Sequence, residues 1–221
     1  MKKLKLFAVA TFVVAFLVGL SLATSLKAQE SKESKSNDPR VLAGAAKVTM
    51  LEAVVAATKE APGVVTNAEL EREKGQLIYS FDILPSPRSQ KITEVHIDAL
   101  TGKVLAKEEE KLNTTTKESQ KAQEAKAVKE AQEEKEEAAG EEEEQNLSEL
   151  IPAVKISMAQ AIKTALADSP GFVLSGELEK EKGKIIYSFD ILPSPSSREI
   201  SEIQVDVATG QIVAREKEEI K

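Results

Sequence analysis

The chain has 221 residues, 41% hydrophobic, 30% charged and 4% aromatic, with no tryptophan, no cysteine and a formal net charge of −7. The absence of cysteine excludes a disulfide framework, a cysteine-based zinc site and a lipid anchor on cysteine. The acidic balance argues against nucleic acid as a partner, because phosphate backbones are bound by basic surface.

Lys2, Lys3 and Lys5 precede an apolar run from Leu6 to about Ala23, the charged-then-apolar order of an export signal. The run is just long enough to span a bilayer, so residues 1–28 read as a signal peptide or an N-terminal anchor. Ser21-Leu22-Ala23 is the better small-x-small cleavage site and Leu26-Lys27-Ala28 the poorer. In both cases the lysines stay inside and the rest is exported. The expected location is the periplasm, the extracellular space or the outer face of the cytoplasmic membrane, with membrane contact only through an uncleaved N-terminal segment. Cleavage after Ala28 removes four lysines and no acids, which takes the net charge to −11. Residues 29–44, rich in Ser, Lys and Glu and carrying Asn37-Asp38-Pro39, read as a flexible spacer.

An internal duplication dominates the rest of the chain. Tyr79–Pro87 recurs letter for letter at Tyr187–Pro195, and the match extends outward without gaps at an offset of 108 residues. Repeats of this kind are to be settled before anything else is read. The copies run from about Lys47 to Glu108 and from about Lys155 to Glu216. A unit of about sixty residues is marginal but able to fold alone, so the reading is two beads on one chain. Their boundaries are 45–108 and 148–217, and contact between them is left open.

Each repeat opens with a helix. Thr49-Met50-Leu51-Glu52 and Ser157-Met158-Ala159-Gln160 are capping boxes, and Met50, Ala53, Val54 and Ala57 fall at helical spacing. Pro62-Gly63 and Pro170-Gly171 end the helices. A first strand follows over Val64–Glu71, with Thr66, Ala68 and Leu70 on one face. Lys74-Gly75 and Lys182-Gly183 mark turns. In the second strand, Leu77, Tyr79, Phe81 and Ile83 alternate with Ile78, Ser80, Asp82 and Leu84. The first set is expected to face the helix, with Ser80 and Asp82 facing away. Pro85-Ser86-Pro87 stops the strand, because proline donates nothing to a ladder. Thr93, Val95 and Ile97 alternate along a third strand, Asp98–Gly102 is a tight turn, and Val104–Ala106 is a short return strand. The fold class is therefore α+β: two copies of a helix on an antiparallel meander. Residues 109–147, almost entirely Glu, Lys, Gln, Ala and Thr, read as a charged linker, partly helical or disordered.

The ordered set resembles the PepSY domain in both copies. Its marks are Pro62-Gly63, Glu69, Gly75, Tyr79, Asp98 and Thr101-Gly102, then Pro170-Gly171, Glu177, Gly183, Tyr187, Asp206 and Thr209-Gly210. PepSY domains occur in propeptides of thermolysin-like metalloproteases and in exported or membrane-anchored bacterial proteins. The resemblance implies a small non-catalytic module, with protease inhibition or regulation as its role. The sequence holds no His-Glu-x-x-His stretch, so inhibition would act in trans.

Nothing in the residues points to catalysis. The one histidine, His96, falls on the outward face of a strand, where it reads as a solvated surface residue, and repeat two has Gln204 there. No Gly-rich phosphate loop is present, and no cofactor or metal ligand set is expected. The copies agree unevenly, however. Roughly four in five positions are identical from Glu69 to Ser89, against roughly one in four across the helix. The identical set includes Ser80, Asp82, Pro85, Ser86 and Pro87, matched by Ser188, Asp190, Pro193, Ser194 and Pro195. Two explanations stay open: a face and loop that bind a partner, or strand and turn geometry that keeps polar residues for solubility and edge protection. The expected function is an exported binding module for a protein or peptide such as a secreted protease. The alternative is a structural or spacer protein of the cell envelope.

Overall fold

The computed structural model describes residues 37–112 and 147–220. The export segment and most of the charged linker lie outside them. Among the described residues, no single helix is long and apolar enough to cross a membrane.

Repeat one contains α2 (Met50–Glu60), β1 (Val64–Glu73), β2 (Gln76–Leu84), β3 (Lys91–Asp98) and β4 (Val104–Lys111). The capping box forms as its letters require: the Thr49 hydroxyl accepts from Glu52 N, and the Glu52 carboxylate accepts from Thr49 N. Met50, Ala53, Val54 and Ala57 are buried against the sheet. The small alanines let the helix lie close. Gly63 is required where the chain turns from helix to strand, because a Cβ there would sit 2.5 Å from the Leu84 carbonyl oxygen. The β1–β2 turn is a two-residue hairpin with positive φ at both Lys74 (49°) and Gly75 (86°), the primed geometry that matches strand twist. At the β3–β4 turn, Asp98 Oδ1 accepts from Leu100 N and Thr101 N. The Ala99 carbonyl at that turn receives Lys47 N and Val48 N, which fixes the entry to α2.

Repeat two copies this plan with α4 (Met158–Asp168), β5 (Phe172–Glu181), β6 (Lys184–Leu192), β7 (Glu199–Asp206) and β8 (Ile212–Glu219). The pairing registers of β5–β8 reproduce those of β1–β4 pair for pair. Leu77, Tyr79, Phe81 and Ile83 enter the core under the helix, as their alternation predicts.

Four expectations are corrected. The return strand continues to Lys111, well past Ala106, because β3 offers partners along its whole length. In β1, Val65 faces the core where Thr66 was expected, because the register shifts between Val65 and Asn67; such a bulge reverses the facing of the residues before it. Within the spacer, Pro39–Ala45 forms a helix, α1. Asp38 caps it by accepting from Arg40 N, Pro39 sits at its start, and Leu42 and Ala43 are buried. Its burial against β1, β5 and β6 supplies what its composition does not. The equivalent segment before repeat two is a short helix, α3 (Leu147–Leu150), and a 3-10 turn, Ile151–Ala153.

The fourth correction concerns the two beads. The strands form one eight-stranded sheet in the order β4-β3-β2-β1-β5-β6-β7-β8. The joint is antiparallel, with Asn67 opposite Glu177, Ala68 opposite Gly176 and Glu69 opposite Ser175. At the offset of 108, Ala68 and Gly176 are each other's equivalents, so a local two-fold axis passes between them. The described helices lie on one face, α2 touches α4, and one hydrophobic core runs through both repeats.

Candidate functional site

Among the described residues, no helix covers the other face of the sheet. Strand alternation sends apolar residues to the helices and polar ones to this open face. Asn67, Glu69, Glu71 and Glu73 project there from β1, and Ile78, Ser80 and Asp82 from β2. Glu94 and His96 come from β3, and Glu108 and Glu110 from β4. Repeat two supplies the equivalents. Strand alternation also brings Lys74, Lys182 and Lys184 to this face at the hairpin ends, Arg198 at the start of β7, and His96. Several basic side chains go to the helix side instead. Lys107 donates to the Glu60 carbonyl at the end of α2, and Arg215 makes a two-pronged bond to Asp168 at the end of α4. Both suit the negative end of a helix.

Pairing register places like charges directly opposite one another. Asp82 faces Glu94, and Glu94 faces Glu108. In repeat two, Asp190 faces Glu202 and Glu202 faces Glu216. Directly opposed like charges destabilise a sheet, yet both copies carry the same triplet. Burial pushes the Asp82 carboxyl up to about 6, with Glu94 adding to the shift and a hydrogen bond from Asn67 opposing it. Burial likewise raises Asp190, against a bond from Ser175. Glu71 is raised to about 6 by burial and then by Glu69, and burial raises Glu69.

Ser80, Asp82, Ser188 and Asp190 thus share one face, within the four central strands. They are less exposed than their outward placement suggests. Ser80 is only 8% exposed and donates to Glu94; Ser188 donates to Glu202. Ile78, on the same face, is 2% exposed. Neighbouring side chains on a twisted sheet cover one another, so facing away from the helix is not the same as being solvated. The proline loops are exposed, apart from half-buried Ser194. The fold does not unite them: β2 and β6 run in opposite directions, so Pro85-Ser86-Pro87 and Pro193-Ser194-Pro195 lie at opposite ends of the sheet. Pro195 instead lies beside Gly44 of α1.

His96 is on the open face as expected, but it is packed rather than solvated. Its side chain is 17% exposed, with Nε2 2.8 Å from Glu94 and Nδ1 3.3 Å from Glu73. The hydrogen bond to Glu94 raises the imidazole above its ordinary value and holds Glu94 below its own. Ser80 Oγ and His96 Nε2 both address the same Glu94 oxygen. A serine nucleophile needs the histidine as its acceptor, and this arrangement does not provide that. Glu179, Glu181 and Glu202 bring carboxylate oxygens within 4.8 Å of one another, close enough for a cation in principle, but the Gln204 amide already bridges Glu181 and Glu202.

Sequence reasoning missed the opposed glutamates because opposition depends on which strands become neighbours. The available signal was the alternation Asn67, Glu69, Glu71, Glu73 in phase with Ser80 and Asp82.

A family profile described as PepSY, peptidase propeptide and YPEB domain, matches residues 47–108 and 155–216, over half of the chain. This fits a non-catalytic module of the exported kind, and no catalytic family is indicated. No curated protein matches the chain. A crystal structure of a candidate lipoprotein from Clostridium difficile 630 is similar at 20% identity, over 78% of this chain and 95% of that one, with a TM-score of 0.38.

Proposed function

The chain belongs to the PepSY family, and on that premise we propose that it is an exported module that binds a basic segment of a protein or peptide, an exported protease among them, on the open face of its sheet. The observation that carries this reading is the carboxylate triplet, present in both repeats. Its strands send lysine to that face only at the hairpin ends, where Lys182 comes within 3.9 Å of Glu216. Opposed carboxylates cost stability in the free protein. A lysine or arginine inserted between them relieves that repulsion and meets carboxylates whose fold already holds them in place. Charge-assisted bonds of this kind are among the stronger ones. The triplets sit on both sides of the joint, with Asp82 and Asp190 three strands apart and offset by two residues along them, or about 16 Å. One extended basic segment reaches both. The charged, apolar start of the sequence supports a site of action outside the cytoplasm.

The test uses the full chain with an oligolysine and an oligoglutamate peptide of equal length, read by calorimetry at several salt concentrations. Oligolysine is expected to bind, with affinity falling as salt rises; oligoglutamate is not. Replacing Asp82 and Asp190 together by Asn should weaken oligolysine about tenfold or more, since truncating buried interface charges costs on the order of 2 kcal/mol. Equal binding of both peptides, or of parent and double variant, refutes the reading and favours a spacer of the cell envelope. Secreted proteases of the same cell, assayed with and without the protein, then decide whether the partner is a protease.

A further inference from the structure

The open face differs between repeats at one bridging position. His96 and Gln204 are equivalents at the offset of 108, each on the third strand of its repeat. Each lies between the same two carboxylates. Glu73 and Glu94 flank His96 at 3.3 and 2.8 Å. Glu181 and Glu202 flank Gln204, whose Nε2 donates to Glu202 at 2.8 Å and also to Glu181. An amide nitrogen carries two N–H donors at every pH. Neutral imidazole has one N–H and one lone pair, and only imidazolium donates from both nitrogens. A neutral ring at position 96 would satisfy one carboxylate and turn a lone pair on the other.

We propose that His96 is a pH-dependent clamp on the binding face: its imidazolium ties Glu73 of β1 to Glu94 of β3 across β2, and loss of the proton releases Glu73 and makes repeat one's half of the face more negative, while Gln204 keeps repeat two bridged throughout. The regulatory part rests on the face being the cation-binding surface; the clamp itself does not.

The surroundings favour the charged ring. β1 presents Glu71 and Glu73, and β3 presents Glu94. β2 places Ser80 directly opposite His96, and β4 places Ala106 opposite it with Glu108 one step along. Asp82 also feels the ring. The cation close by is Lys74, whose Nζ is 2.8 Å from the Glu73 oxygen that His96 does not use. Carboxylates therefore outnumber cations around the imidazole, and its placement in the sheet limits screening by water.

Because the sequence has a single histidine, its ring resonances report this site alone. In the full chain, the NMR titration midpoint of His96 should lie above the ordinary value of about 6.5. It should fall by about half a unit or more in Glu94→Gln and in Glu73→Gln. A midpoint at or below the ordinary value, or one unmoved by Glu73→Gln, overturns the clamp. Oligolysine affinity is then followed across the same pH range in parent and His96→Gln. Asp82 and Glu71 titrate there too, so the difference between the two proteins is the readout. The parent should gain about threefold or more in affinity as His96 loses its proton, and His96→Gln should lack that step. Coincident profiles with a raised midpoint would keep the clamp and remove its regulatory role. A raised midpoint with no oligolysine binding at any pH would sink the binding reading and leave the clamp standing.

Discussion

The two repeats share their strand registers pair for pair, yet they handle the same tyrosine differently. Tyr79 donates to the Val48 carbonyl at 2.6 Å, within its own repeat. Tyr187 donates to the Val65 carbonyl at 3.3 Å, across the joint in the other repeat. On the side of the joint near Tyr79, a small cavity of about 170 Å³ opens, lined by Leu70, Tyr79, Phe172 and Val173 among others. At the axis itself repeat one has Ala68 and repeat two has Gly176. The copies thus share their hairpins, while at the joint Asn67 and Ala68 of repeat one are replaced by Ser175 and Gly176 and Glu69 is kept as Glu177. Each repeat contributes half of one continuous sheet.

The largest effects should fall equally on both copies. Tyr79→Ala and Tyr187→Ala each remove a buried ring that stacks on a phenylalanine, Phe81 or Phe189, at centroid distances of 6.4 and 6.1 Å. Each should cost about 3–5 kcal/mol in denaturant unfolding of the full chain. A large loss in only one of them would show that the repeats do not share their core plan. The same experiment should give one cooperative transition for both variants; two separated transitions would restore the picture of independent beads.

The axis offers a sharper contrast. A Cβ added at Gly176 would come within 2.7 and 2.8 Å of the Phe189 ring, whereas repeat one accommodates the methyl of Ala68 beside Phe81 with full burial. Gly176→Ala should therefore destabilise by about 1–3 kcal/mol, as overpacking does. Ala68→Gly should cost about 0.5–1 kcal/mol through backbone entropy. Equal losses would mean that the joint tolerates either residue and that the axis is not tightly packed.

On the open face the expected sign is the reverse of ordinary acid denaturation. The folded-state value of Asp82 is raised to about 6 from an ordinary value of 3.8, so its contribution to stability is fully present below about pH 4. It is lost as the pH rises through about 6. Glu71 behaves alike. The protein should melt higher at pH 5 than at pH 7.5. Asp82→Asn should gain about 1–2 kcal/mol at pH 7.5 and almost nothing near pH 4. Asp190→Asn should shift stability in the same direction. A melting temperature that rises steadily from pH 5 to 7.5 in the parent would show that the carboxylates are solvated and unopposed.

The smallest effect separates the tyrosine hydroxyls. Tyr79→Phe and Tyr187→Phe should each cost about 1 kcal/mol, the usual net worth of one hydrogen bond. Only Tyr187→Phe should speed hydrogen exchange at the β1–β5 joint, since only its hydroxyl crosses it. Faster exchange there in Tyr79→Phe as well would mean that the joint does not depend on that bond.

What the sequence alone determined is what the chain settles within a few residues. The capping boxes at Thr49 and Ser157, the Pro-Gly stops, the primed turns at Lys74-Gly75 and Lys182-Gly183, and the alternation of Leu77, Tyr79, Phe81 and Ile83 are local, and they appear twice. They identify one helix on an antiparallel meander in each copy and put Ser80, Asp82 and His96 on the helix-free side. Only the tertiary structure decided that β1 pairs with β5, since edge pairing depends on which strand is left uncovered once the meanders have formed. It also decided that Pro39–Ala45 is helical, through burial of Leu42 and Ala43. The opposition of Asp82, Glu94 and Glu108 and the clamp of His96 between Glu73 and Glu94 arise from register between strands far apart in sequence. Charge repulsion and proton affinity follow distances in space, and those distances exist only once the sheet has assembled.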